Sequence, residues 1–207
     1  MTPIYIESGS KRVFACALDW PGWCRADRTE AAAMAALGAY AARYAVVAKE
    51  AGIKFPIKSA SEFTVVDRIP GSGTTDFGAP CAWPPSDGER LTPTEADRFA
   101  SLLEASWTVF DRVVSGAPAS LRKGPRGGGR DRDEIVRHVI DAEGAYAPKI
   151  GIRGTAPAEL RRTILETLRG SVVPLKVAEK GWPPRYAARR MAWHVLDHAW
   201  EIEDRRE

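Results

Sequence analysis

RRMAWHVLDHAWEIEDR, residues 189–205, decides how this chain reads. His194 and His198 stand four apart, which at 3.6 residues per turn puts both imidazoles on one helix face, one above the other. Ala187, Met191, Val195 and Ile202 share that side, in a helix that starts at Pro183-Pro184. Trp193, Leu196 and Trp200 repeat on the other side. Apolar residues on both sides predict a helix buried on both, its outer face covered by the N-terminal half or by a second subunit. The tryptophans read as core or interface rather than as a ligand box.

The remaining histidine lies in DRDEIVRHVIDAEGAY (131–146), on an apolar stripe of Ile135, His138, Val139, Ala142 and Tyr146. That helix begins after Gly127-Gly128-Gly129, with Asp131 or Asp133 as its cap. LTPTEADRFASLLEASWTVFDRVV (91–114) opens with Thr92, Pro93 and Glu95, a capping box, and buries Phe99, Leu102, Leu103, Val109, Phe110 and Val113. PAELRRTILETLRG (157–170) buries Leu160, Ile164 and Leu168, and Pro174 interrupts any continuation. Residues 91–207 therefore read as an all-α four-helix bundle.

Toward the N-terminus the period changes. TPIYIES (2–8) and RVFACAL (12–18) are strand-like, separated by a Gly9-Ser10-Lys11 turn. The turn-rich LDWPGWCRADRT follows, then one helix over TEAAAMAALGAYAARYAVVAKEAG with Gly52 as its stop, then a strand over SEFTVVDRI (61–69). This predicts an α+β domain over 1–70, ββ(β)αβ, with one helix on an antiparallel sheet. GSGTTDFGAPCAWPPSDGER (71–90 in GSG…GER) is dense in Gly, Pro, Ser and Asp and reads as a linker.

Composition narrows the function classes. A net charge of +3 over 207 residues is too weak to argue for nucleic acid. Three cysteines without a C-x-x-C pair fit a reducing compartment, and Cys16 and Cys24 read as packing residues. Neither a signal peptide nor a membrane span is expected, so the protein is placed in the cytoplasm, away from the membrane.

The histidines carry the chemistry. A divalent metal needs neutral imidazole nitrogens about 2 Å away in fixed directions. Two from one rigid helix and a third from a facing helix leave a coordination position open for water or substrate, the mark of a catalytic site. His138, His194 and His198 are the candidate ligands. Glu201 lies about 20° around the helix from His194, as a fourth ligand, a general base or an orienting partner. Asp141 is a second candidate for proton handling. The competing reading is three core histidines satisfied by hydrogen bonds. The basic, Gly-rich stretch LRKGPRGGGRDR (121–132) leads into a helix N-terminus. Arg122, Lys123, Arg126 and Arg130 there are candidates for holding an anion such as a substrate carboxylate, although a solvated connection has the same composition. It lacks the G-K-[ST] ending of a nucleotide-binding loop.

A four-helix unit with one histidine on its second helix and H-x-x-x-H on its fourth resembles the DinB-like (YfiT-like) metalloenzyme superfamily. That superfamily includes thiol-dependent transferases and mycothiol-dependent maleylpyruvate isomerases. The resemblance covers 91–207 and implies a Zn²⁺ or Ni²⁺ ion on the three histidines and activation of a low-molecular-weight thiol. FACALDWPGWCRADRTEAAAMAAL (14–37) is similar to HicB-like antitoxins, through Pro21-Gly22 and Thr29-Glu30. No DNA-binding motif follows it, so this half reads as a cap on the bundle or a dimerisation surface. Two functions remain open. One is a metal-dependent transferase, isomerase or hydrolase for a small acidic substrate. The other is a binding or regulatory module, in which the HicB-like half recognises a partner or pairs two copies.

Overall fold

The computed structural model describes residues 1–55, 62–124, 128–170 and 181–206. The first two apolar runs form strands β1 (Thr2–Ser8) and β2 (Val13–Ala17), paired antiparallel, and Gly9 N–H closes their turn onto the Arg12 carbonyl at 2.9 Å. The turn-rich stretch after them yields a third strand, β3 (Cys24–Asp27), antiparallel to β2. Helices α1 (Glu30–Ala39) and α2 (Ala41–Glu50) follow, then β4 (Phe63–Pro70). The sheet order is β3-β2-β1-β4.

Two expectations are corrected here. The sheet is mixed, because β4 runs parallel to β1. The helices between β3 and β4 carry the chain back across the sheet to its far edge, and such a crossover returns the strand parallel. The single helix expected over 29–52 is two, bent by 51°. Tyr40 leaves the helical region (φ −88°, ψ 1°), and its ring is held by Trp200, with centroids 5.0 Å apart. The bend lets α1 bury Ala33 and Leu37 while α2 buries Tyr44, Val47 and Ala48. Trp23 Nε1 donates to the Leu37 carbonyl (3.0 Å), and the Tyr44 hydroxyl donates to the Pro21 carbonyl (2.8 Å).

The C-terminal half is mostly helical, with α4 (Pro93–Ser115), α5 (Arg132–Tyr146), α6 (Pro157–Gly170) and α7 (Pro184–Arg205). The Thr92/Glu95 capping box starts α4. Asp131, not Asp133, precedes α5, and its N–H donates to the Glu134 carboxylate at 2.9 Å. Pro174 lies outside the described residues. Thirteen of the 22 residues of α7 are buried, so this helix is enclosed on both sides. The N-terminal half supplies its outer cover. Trp193 packs edge-on against Phe14, Arg25 pairs with Asp197 at 2.8 Å, and Tyr40 meets Trp200. One hydrophobic core runs from the inner sheet face (Ile4, Ile6, Ala15, Ala17) through α1 and α2 into the bundle.

Residues 71–90, expected to be a linker, are packed. They carry the short helix α3 (Gly73–Phe77) and a 3-10 turn at Pro85–Gly88. The fully buried Glu7 carboxylate accepts the Thr75 hydroxyl (2.6 Å) and the N–H groups of Cys81 and Ala82. Asp87 makes a buried ion pair with Arg189 of α7. The segment is thus fixed to the sheet at one end and to α7 at the other. Among the described residues, no single helix is long and apolar enough to cross a membrane.

Gly22, in the turn before β3, fixes how closely the sheet approaches α7. Its φ is +91°, and a Cβ there would lie 2.7 Å from Leu196 Cδ1 and 3.1 Å from the Ala192 backbone. Gly22→Ala is expected to lower the unfolding free energy by about 1–3 kcal/mol. The readout is a lower urea midpoint at unchanged slope, and an unchanged midpoint would contradict this packing.

Candidate metal centre

Helix periodicity places Arg190, His194, His198 and Glu201 along one side of α7, and α5 faces them with His138. The three imidazoles converge. His138 and His194 approach Nε2 to Nε2 at 3.2 Å, and one ligand atom from each of the three lies within 4.8 Å of the others. Ring centroids are 5.0 Å (138 to 194), 4.9 Å (138 to 198) and 4.8 Å (194 to 198) apart. Two nitrogens about 2 Å from one tetrahedral ion stand about 3.3 Å from each other. The His138–His194 separation matches that distance, so the three histidines are close enough to hold a metal ion.

Burial decides the protonation state. His194 is 7% exposed, and its pKa is pushed down to about 2. Desolvation is the main cause, followed by the neighbouring charges of His198 and Arg190. His138 is half-buried, and its pKa is also lowered, first by burial and then by His198 and Arg130. A neutral imidazole keeps a lone pair for a cation, so this environment favours a ligand and opposes a charged histidine.

Glu201 sits behind the cluster. Its carboxylate meets His198 Nδ1 at 2.8 Å and accepts from Arg205 at 2.5 Å. Although burial alone would raise the Glu201 pKa, the hydrogen bonds and charges of His198 and Arg205 hold it below the usual glutamate value. An ionised acceptor on Nδ1 keeps the proton there and turns Nε2 of His198 toward the cluster. Of the three roles open to Glu201, this geometry is the orienting one.

The other candidates fall differently. Asp141 is exposed on α5, where its charge favours the protonated form of His138, and it opens onto a groove with Glu143 and Arg161. Arg122 holds its loop to the end of α7: its backbone N–H donates to the Arg205 carbonyl (2.9 Å) and its side chain to the Asp204 carbonyl (2.8 Å). Lys123 pairs with Asp131 at 2.7 Å and donates to the Gly129 carbonyl. Arg130 is exposed, with its positive charge felt at both His138 and His194. Arg126 lies outside the described residues.

Sequence reading missed Arg190 in this role. Its guanidinium lies 5.0 Å from the Tyr146 ring centroid and 4.7 Å from that of Trp193, and its Nη1 is buried without a hydrogen-bond partner. Tyr146 in turn packs edge-on against His194, centroids 5.7 Å apart. The available signal was its spacing, four residues before His194 on the same face.

In the metal-free protein, folded His194 titrates only near pH 2, whereas in the unfolded chain it titrates near its ordinary 6.5. Between those values the unfolded state binds the extra proton, so stability falls as pH drops below about 6.5. His194→Gln is expected to flatten the dependence of urea-unfolding free energy on pH by about one proton between neutral pH and about pH 4. Identical slopes would contradict the neutral burial of His194. No protein-family model, no curated protein and no solved structure matches the chain, and the reading of the centre rests on its own geometry.

Proposed function

We propose that the chain is a divalent-metal-dependent enzyme acting on a small acidic substrate, by thiol-dependent transfer, isomerisation or hydrolysis. The observation that carries this reading is the convergence of three imidazoles, one of them buried where protonation is opposed. His138, His194 and His198 would hold a Zn²⁺ or Ni²⁺ ion. Such an ion supplies Lewis acidity, making a thiol or water a nucleophile at neutral pH. On this reading 91–207 is a DinB-like unit and 1–70 a HicB-like cover for α7, in a reducing cytoplasmic setting.

The chain's own residues then divide the work. Glu201, backed by Arg205, orients His198. Tyr146 and Trp193 flank Arg190, whose free Nη1 is a donor for a carboxylate beside His194. Charge supports an acidic substrate. Neutral imidazoles leave a bound dication uncompensated, and the positive charges of Arg190 and Arg130 are offset only in part by Glu201 and Asp141. An anionic ligand restores the balance.

A second reading is favoured by one observation: 3.2 Å is also the length of an N–H···N hydrogen bond. The cluster would then be a dry polar knot in a binding or regulatory module.

Both readings meet in one experiment. Cobalt(II)-loaded protein is titrated with mercaptoacetate, a probe carrying both a thiol and a carboxylate. The metalloenzyme reading predicts one cobalt per chain, lost in His138→Ala and His194→Ala at unchanged helix content, and a thiolate-to-cobalt absorption band on adding the probe. Arg190→Met should weaken probe binding ~10- to 100-fold, the worth of one hydrogen bond to a charged group. Failure to take up cobalt, zinc or nickel would establish the polar knot instead.

A further inference from the structure

Cys16 and Cys24 have no part in the centre described above. They face each other directly across β2 and β3 as a register pair, with their sulfurs 2.7 Å apart. Ala17 N–H donates to the Trp23 carbonyl at 3.0 Å, which makes Cys16 and Cys24 the adjoining non-hydrogen-bonded pair of the ladder. In such a pair the α-carbons stand about 4.5 Å apart and the side chains lean together, within the range that a disulfide spans. Both thiols are buried, 2% and 5% exposed, in a cluster with Tyr5, Phe14 and Trp193 on the outer sheet face.

We propose that Cys16 and Cys24 form a reversible cross-strand disulfide, a redox modification site facing Trp193 of α7. The oxidant is a low-molecular-weight disulfide. One cysteine, as thiolate, attacks a sulfur of that disulfide, forms a mixed disulfide and releases one small thiol. The second cysteine then attacks the protein sulfur of the mixed disulfide and expels the other small thiol. Two electrons pass from the protein pair to the small disulfide, and the two cysteine protons end on the released thiols.

Burial explains why the pair is stable as thiols in the folded state. It raises the Cys24 pKa well above the ordinary thiol value, with the contact to Cys16 adding to the effect, so little thiolate is present. Access comes from the strand itself. β3 has four residues, lies at the sheet edge and begins at Cys24. Short edge elements open locally at low cost, exposing the pair without global unfolding. Trp193 connects the site to the rest of the molecule. It packs on Phe14 beside the two sulfurs and precedes His194 in α7. The inference stands apart from the metal reading, since neither sulfur is a candidate ligand.

The test is thiol counting on the full chain. After incubation with oxidised glutathione, the protein is denatured, alkylated with iodoacetamide, weighed intact and mapped by peptide. The expected result is an intact mass carrying one alkyl group in place of three, and a Cys16–Cys24 peptide link. A single alkylated thiol, Cys81, should remain, and dithiothreitol should restore all three cysteines. Cys81→Ser should form the link in equal yield. Cys16→Ser and Cys24→Ser should each lose it. Tryptophan fluorescence should shift as the link forms, and Trp193→Phe should remove that shift. Three alkylated thiols, a lasting glutathione adduct on Cys16 or Cys24, or a link through Cys81 would each overturn the proposal.

Discussion

Burial opposes the charged form of an imidazole, and His194 is buried between α5 on one side and its own doubly covered helix on the other. The molecule is arranged around that constraint. Gly22 lets the β2–β3 turn reach the α7 backbone, Arg25 and Tyr40 grip its outer face, and Asp87 engages Arg189 inside. With α7 fixed along its length, His194 and His198 are presented as a rigid pair, and only His138 must come from elsewhere. Rigid presentation is what a metal site requires, because ligand directions then cost little entropy on binding.

The same enclosure sets the electrostatics. Buried neutral nitrogens meet two arginines, Arg190 and Arg130, whose charges oppose protonation of the cluster. Glu201 offsets part of that positive field while fixing the tautomer of His198. The result is an imidazole cluster that resists protonation. Neutral nitrogens keep their lone pairs, and the three lie close enough to hold a metal ion.

Sequence reading reached the histidines because a 3.6-residue period is strict: inward stripes on two helices specify which side chains can meet. It placed Glu201 near them, but which of three roles it takes depends on a hydrogen bond to Nδ1 that spacing does not encode. The parallel pairing of β4 was not legible, since a strand's partner is chosen by where the chain crosses. The bend at Tyr40 was hidden because strong helix formers flank it on both sides, and it is Trp200, far along the chain, that holds the ring there. The Gly- and Pro-rich composition of 71–90 looks like a tether. Its anchors are a buried carboxylate on β1 and a buried arginine on α7, both distant in sequence. The cysteine pair escaped for the same reason, as residues eight apart become neighbours only once the strand register is known.

The most direct test of the central claim is X-ray absorption spectroscopy at the zinc edge of zinc-loaded protein. The account predicts three imidazole nitrogens and one exchangeable oxygen neighbour, all at about 2.0 Å. His138→Ala should retain no zinc, and this signature should vanish with it. A spectrum dominated by sulfur, or by water oxygens alone, would contradict it.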